Sequence, residues 1–133
     1  MADKKPIILK TFNNTFSEFL KELCGIFPKN KEIKAYKNSF SLASKLTPKA
    51  AIGVWNDSVN NKYYDDIMRG DLDYFLTLDY SADLSDLGDT AAKTLEFIES
   101  IKKPLSDLDK ANKDTSIAYI QNLCKLSYAY NNN

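Results

Sequence analysis

The sequence of 133 residues contains no histidine. Without an imidazole, Ser-His-Asp and Cys-His nucleophilic sites, histidine acid–base catalysis and zinc sites with imidazole ligands are excluded. The two cysteines, Cys24 and Cys124, are 100 residues apart and form no Cys-x-x-Cys motif. We therefore expect reduced, apolar, buried thiols in place of a metal site, a redox motif or a disulfide framework. The sequence predicts no catalytic residue, no cofactor and no metal.

Arginine and long apolar runs are scarce as well. Arg69 is the single arginine among 18 basic residues, and arginine is the usual residue for bidentate recognition of phosphate and guanine. Sequence-specific reading of nucleic acid is therefore not expected. The apolar run at residues 7–9 is far too short for a signal-peptide core or a membrane span. We expect no membrane partner and no targeting segment.

The residues that are present indicate one helical domain. Hydrophobic residues make up 44% of the chain, and glycine and proline number four each. This length and composition suit a single core, and apolar residues recur at steps of three and four with no strand-like alternation. The sequence predicts an all-α, single-domain bundle of five or six helices over residues 1–133. An acidic loop is expected around residues 79–89, with flexible tails at 1–10 and 131–133.

Caps, prolines and glycines predict the helix boundaries. Asn13 or Asn14 is expected to cap the first helix, Thr47 to cap the third, and Pro104 to end the fifth. Trp55 and Tyr63 fall on the apolar stripe of the third helix, so we expect both in the core. Residues 7–9 are expected to be extended. The predicted helices span residues 14–26, 31–46, 48–69, 72–78, 90–103 and 114–130, with one loose turn at 105–110.

Charge is balanced in total but divided along the chain. Eleven lysines and five carboxylates precede residue 65, a net +6, whereas residues 65–89 contain eight aspartates and one arginine, a net −7. We expect this acidic segment to bind a protein with a basic face, because charges steer association and aromatic side chains anchor it. The candidate partner-binding residues are Tyr64, Asp65, Asp66, Asp71, Asp73, Tyr74, Asp79, Tyr80, Asp83 and Asp86.

The same aspartates have other interpretations. A calcium loop at 79–89 would need the EF-hand spacing, but Leu87 and Thr94 would then occupy its fifth and twelfth positions. A solvated loop in which Asp89 or Thr90 caps the next helix also accounts for these residues. The aspartates at positions 65, 66, 71 and 73 could alternatively form an acid–base carboxylate pair. The lysines at 29–49 could bind nucleic acid non-specifically through its phosphates.

A series of short motifs is spread along most of the chain. The motifs are Phe12-Asn13-Asn14, Phe27-Pro28, Trp55 with Tyr63, Ile67 to Gly70-Asp71, Asp73 with Phe75, Asp79-Tyr80, Lys103-Pro104 and Tyr119-Ile120-Gln121-Asn122-Leu123 with Leu126-Ser127. This series resembles the small, uncharacterised helical proteins of large nucleocytoplasmic DNA viruses, such as those of algae and amoebae.

The resemblance implies a viral factory in the host cytoplasm and a place in the virion, as a minor capsid or sub-capsid component, or an accessory role during infection. Together with the residues, it favours a non-enzymatic structural and interaction protein that binds other viral structural proteins or itself. The alternative is a non-specific nucleic-acid-associated factor acting through the Lys-rich N-terminal half. No small-molecule substrate is expected.

Overall fold

A computed structural model describes residues 4–70 and 89–132. Within these ranges the chain is helical and contains no strand, which confirms the predicted all-α bundle in one domain. The helices are α1 (Lys5–Ile26), α2 (Lys31–Leu46), α3 (Ala50–Trp55), α4 (Asn61–Met68), α5 (Asp89–Ser106) and α6 (Lys110–Asn131), and a π-helical turn (Asn56–Asn60) joins α3 to α4. The predicted helix at 72–78 and the predicted acidic loop at 79–89 lie outside the described residues, except for Asp89.

The longest two helices, α1 and α6, pack antiparallel. The rings of Phe19 and Tyr119 stack with centroids 5.4 Å apart, and Lys5 Nζ lies 5.2 Å from the ring centroid of Tyr130. In these two contacts, a lower residue number in α1 goes with a higher residue number in α6, so the start of α1 meets the end of α6. α6 begins at Lys110, four residues before the predicted start, with Asp109 as its cap. It ends at Asn131, one residue inside the predicted tail.

The start of α1 differs from the prediction. The helix begins at Lys5, so residues 5–10 are not a flexible tail and residues 7–9 are helical instead of extended. Pro6 lies in the first turn, where a missing N–H costs nothing. Asn13 and Asn14 lie inside this helix, so neither caps it, and the Asn13 side-chain amide donates to the carbonyl oxygen of Pro48 at 3.0 Å. The residue that the sequence predicted as a helix cap thus makes a tertiary hydrogen bond instead.

The α2 boundaries are those predicted. Asn30 caps the helix by accepting a hydrogen bond from the Ile33 backbone N–H at 3.1 Å. Thr47 follows the last residue and donates its hydroxyl back to the Ala43 carbonyl oxygen at 3.0 Å. The expected cap at Thr47 for the next helix is therefore wrong, and α3 begins at Ala50. Leu46 continues the apolar stripe of α2 after Phe40 and Ala43, yet 73% of it is exposed.

The predicted third helix is interrupted by the π-helical turn, which contains Asn60, a position with low helix propensity. Ile52 and Trp55 before the turn and Tyr63 and Ile67 after it are all buried. The helical segment stops at Gly70, whose φ of 81° lies in the left-handed region that favours glycine. The predicted end of this helix is confirmed.

Pro104 does not end α5, which continues to Ser106. A proline inside a helix removes one hydrogen bond and costs about 3 kcal/mol. The next residue, Leu105, is buried on the same side as Ile101, one turn earlier, and burying a leucine contributes about 1.5–3 kcal/mol. Burial of Leu105 therefore offsets the cost of the proline and keeps the last turn helical.

An aromatic cluster joins α1, α2, α3 and α5 in the core. The ring of Phe16 lies at its centre, stacked on Phe40 with centroids 4.9 Å apart and edge-on to Trp55 at 5.8 Å. Tyr36 stacks on Phe97 with centroids 4.3 Å apart. Trp55 and Tyr63 are both buried, as predicted from their spacing.

Candidate functional site

Three of the ten predicted partner-binding residues lie in the described part of the chain, and all three are on α4. They are Tyr64, Asp65 and Asp66. The other seven lie outside the described residues: Asp71, Asp73, Tyr74, Asp79, Tyr80, Asp83 and Asp86.

Tyr64 forms a stacked pair with Tyr128 of α6. The ring centroids are 5.0 Å apart and the ring planes are inclined by 28°. Tyr64 is half-buried and packs against the core, whereas Tyr128 is 51% exposed. Burial, followed by the proximity of Tyr128, raises the pKa of the Tyr64 phenol above its ordinary value of 10.0. We call Tyr64 and Tyr128 the tyrosine pair.

The two aspartates on α4 differ in their surroundings. Asp65 is exposed. Asp66 forms an ion pair with the Arg69 guanidinium one turn later, and such a surface pair contributes little stability. Consecutive helical residues point about 100° apart, so these two carboxylates do not face one cleft. This pair therefore lacks the geometry for the acid–base interpretation, and the other two aspartates of that interpretation lie outside the described residues.

A small polar cluster is buried where the π-helical turn meets α6. The Trp55 indole N–H donates to Cys124 Sγ at 3.3 Å. The Asn60 side-chain amide donates to the Cys124 carbonyl oxygen at 3.1 Å and to Ser127 Oγ at 2.6 Å. Asn60 Oδ1 is buried and has no hydrogen-bond partner. The Asn60 amide nitrogen therefore donates to two acceptors on α6, and these hydrogen bonds hold the π-helical turn against that helix.

The two thiols differ in burial. Both cysteines are free, and Cys124 is fully buried while Cys24 is half-buried. The expectation of a buried thiol is confirmed for Cys124 and wrong for Cys24. Burial raises the pKa of the Cys124 thiol from 9.0 to about 12, although the Trp55 hydrogen bond acts in the opposite direction.

We expect a thiol reagent to modify Cys24 well before Cys124 in the native protein at pH 8. With its raised pKa, Cys124 has about a thousandfold less reactive thiolate than an ordinary cysteine, and burial also blocks access. The measurement is the order of labelling, read by peptide mass spectrometry. Equal labelling rates would contradict the burial of Cys124.

The Cys124 pKa also has a consequence for stability against pH. Since the folded pKa lies above the unfolded value of 9.0, the thiol's contribution is fully present below pH 9 and is lost as the pH rises towards 12. The difference in unfolding free energy between the wild-type protein and Cys124→Ala should therefore shrink above pH 9. A difference in unfolding free energy that stays constant between pH 9 and pH 12 would contradict the raised pKa of Cys124.

A groove runs between α2 and α5. Its polar end is a cavity of about 490 Å³ that Glu32 and Glu96 line. Its apolar end is a cavity of about 290 Å³ that Phe40, Ala43 and Leu46 line. Lys93 lines both parts. The sequence predicts no function for these residues, because spacing along one helix does not reveal how its apolar face packs against other elements.

The lysines of the nucleic-acid interpretation lie mainly on α2. Lys31, Lys34 and Lys45 are exposed, and Lys37 is half-buried. The same helix also carries the exposed side chains of Leu42 and Leu46. The exposed surface of α2 therefore combines basic and apolar side chains.

Two further properties concern ligands and membranes. In residues 4–70 and 89–132, no group of three or more His, Cys, Asp or Glu side chains is arranged to hold a metal ion. The calcium interpretation concerned a loop outside these ranges. None of the described helices combines the length and the apolar character that crossing a membrane requires.

The chain matches no protein-family model, no curated protein and no solved structure.

Proposed function

We propose that this protein is a non-enzymatic interaction protein that binds other proteins through the tyrosine pair and the neighbouring acidic residues. The observation that carries the proposal is the position of Tyr128, which is 51% exposed yet stacked on Tyr64. Tyrosine is enriched among the residues that dominate protein interfaces. A ring that is already held in place loses little conformational freedom on binding, which favours affinity.

The chemistry around the pair indicates a basic partner. Asp65 is exposed beside Tyr64, and the segment 65–89 has a net charge of −7. A cationic surface on the partner would relieve the repulsion among these carboxylates and would speed association. Rim charges mainly guide the encounter, whereas the aromatic pair would supply the apolar contact that keeps the complex together.

The resemblance to small helical proteins of large nucleocytoplasmic DNA viruses supports a more specific proposal. In it, the protein is a minor capsid or sub-capsid component, and its partners are other viral structural proteins. The test is quantitative mass spectrometry of particles purified from infected cells. A stoichiometric amount that survives salt washing supports a virion component, and absence from the particles overturns this placement.

We expect Tyr128→Ala to weaken partner binding by about 30-fold, the effect of losing an interface residue worth about 2 kcal/mol. Asp65→Asn should slow association and reduce its dependence on salt, with a smaller loss of affinity. Binding is measured by surface plasmon resonance at low and high salt against the structural proteins of the particle. Asn122→Ala is the control, because Asn122 is also exposed on α6. Equal binding by all variants would overturn the role of the tyrosine pair.

The second candidate is a non-specific nucleic-acid-associated factor that uses the Lys-rich half. The observation in its favour is the set of exposed lysines on α2. Binding to DNA of arbitrary sequence, lost steeply as salt is raised, would support it. Fluorescence anisotropy with a labelled duplex gives the measurement, and binding by an α2 variant with Lys31, Lys34 and Lys45 changed to Gln shows whether these lysines are responsible.

A further inference from the structure

We infer that Tyr64 and Tyr128 form an oxidative cross-linking site, at which a one-electron oxidant joins the two rings through a carbon–carbon bond to give dityrosine. The bond would tie α4 to α6. This inference uses the geometry of the tyrosine pair and needs no partner protein, so it goes beyond the proposed function. Because cross-linking is tested on the isolated protein, its failure would leave the proposed partner binding unaffected.

The two rings are in contact before any reaction takes place. Their centroids are 5.0 Å apart and their planes are inclined by 28°, which is within the range in which aromatic rings make direct contact. Tyr64 packs against the core from α4, and Tyr128 approaches it from α6. Two reacting groups that are held together couple far faster than groups that must meet by diffusion. The fold therefore favours a bond between these two tyrosines.

An oxidant can reach one member of the pair directly. Tyr128 is 51% exposed, whereas Tyr64 is half-buried. We therefore expect Tyr128 to be oxidised first. Because the rings are in contact, an electron can pass from Tyr64 to the Tyr128 radical, and Tyr128 then meets the oxidant a second time. Both phenols are oxidised in this way although only one is well exposed.

The atoms and electrons of the reaction balance with hydrogen peroxide as the oxidant and a haem peroxidase as its catalyst. Each phenol loses one electron and its hydroxyl proton and becomes a phenoxyl radical. The two radicals combine through one ortho carbon of each ring. The hydrogen on each of these carbons then leaves as a proton while the phenol oxygen regains one, which restores both aromatic rings. The two electrons and two protons removed overall reduce one molecule of hydrogen peroxide to two of water.

A second tyrosine of α6 provides a comparison within the same protein. Tyr119 is half-buried and stacks on Phe19 with centroids 5.4 Å apart. Phenylalanine has no hydroxyl group, so it does not form a phenoxyl radical under these conditions. The contact of Tyr119 with Phe19 therefore gives no cross-link, although its geometry is similar. What distinguishes Tyr64 and Tyr128 is that both of the stacked rings are phenols.

The test treats the dilute, isolated protein with hydrogen peroxide and a haem peroxidase, followed by tryptic digestion and tandem mass spectrometry. We expect a cross-linked peptide whose mass is the sum of two peptides less two hydrogen atoms, with the bond between Tyr64 and Tyr128. Dityrosine fluorescence gives a second measurement. Tyr64→Phe and Tyr128→Phe should each lose this product. Both substitutions keep the ring and nearly all of its volume, so the variants are expected to fold.

Tyr119→Phe and Tyr130→Phe are the matched controls. Tyr130 lies near Tyr128 on α6, with its ring beside Lys5 Nζ. Both control variants should retain the cross-link. Denaturing electrophoresis separates a cross-linked monomer from products that join two molecules. Absence of the Tyr64–Tyr128 bond, an equal loss of product in the controls, or products that are mainly cross-linked dimers would overturn the proposal.

The cross-link should also raise the urea concentration at the midpoint of unfolding. A covalent bond between residues 64 and 128 restricts the unfolded chain, as a disulfide does. Tyr128→Phe, treated with the same oxidant, reports the effect of oxidation elsewhere in the protein and should show no increase. A midpoint that rises equally in the two proteins would overturn the link between α4 and α6.

Discussion

Replacing Trp55 with alanine is expected to lower the free energy of unfolding by about 3–5 kcal/mol. Trp55 is 1% exposed and packs edge-on against Phe12 and Phe16, with ring centroids 6.3 and 5.8 Å away. Its N–H also donates to Cys124 Sγ. The substitution therefore leaves a cavity where α1, α3 and α6 meet. Urea denaturation followed by circular dichroism gives the measurement.

A loss of this size is a large part of the total stability of a small domain. Trp55→Phe is therefore the second variant, since it keeps an aromatic ring and should cost about 1–2 kcal/mol. Ile7→Ala, at an exposed position, should change stability by less than about 0.5 kcal/mol. A loss below about 1 kcal/mol for Trp55→Ala would contradict the central position of the indole.

The second large effect is expected for Asn60→Asp, which should cost about 3 kcal/mol at pH 7. The Asn60 amide donates to the Cys124 carbonyl oxygen and to Ser127 Oγ. A carboxylate at this position would turn an acceptor towards the carbonyl oxygen and would place a charge in a buried cluster. The measurement is again urea denaturation, repeated between pH 4 and pH 8.

The pH dependence of this variant identifies the cause. Burial beside the Cys124 carbonyl oxygen, which can only accept, raises the folded-state pKa of the introduced carboxyl above its unfolded value of about 3.9. Its neutral form is tolerated at low pH, so the destabilisation should be smallest near pH 4 and should grow as the pH rises through the folded pKa. Asn61→Asp is the matched control at the exposed neighbouring position. A loss independent of pH, or equal in both variants, would contradict the buried contacts of Asn60.

The fold class and much of the core could be predicted because periodicity reports burial along a helix. The spacing of Trp55 and Tyr63 predicted their burial correctly. Helix ends were predicted where local chemistry decides them, as at Asn30 and Gly70. The start of α1 was missed, because Asn13 resembles a cap in the sequence but lies inside the helix, where its side chain donates to Pro48 across the fold.

The candidate surfaces could be predicted only in part. Tyr64 was selected for its place beside the acidic segment, but its partner Tyr128 is 64 residues away in the sequence, and no local pattern connects them. Leu46 falls on the apolar stripe of α2 but is largely exposed. A stripe indicates an apolar face but does not show how much of its length another element covers. Among the described residues, the groove between α2 and α5 lies along this exposed end of the stripe.

The π-helical turn at Asn56–Asn60 has a consequence for how this chain tolerates changes in length. Deleting one residue from a regular helix rotates every later side chain by about 100° and would move Tyr63 and Ile67 out of the core. A π turn, with its i→i+5 hydrogen bonds, already contains one residue more than an α turn. Losing the exposed Asp57 could be absorbed by conversion to an ordinary turn, with the faces on either side kept in place. The π-helical turn is thus the place in this helical segment where evolution or engineering could remove one residue without rotating the later side chains away from the core.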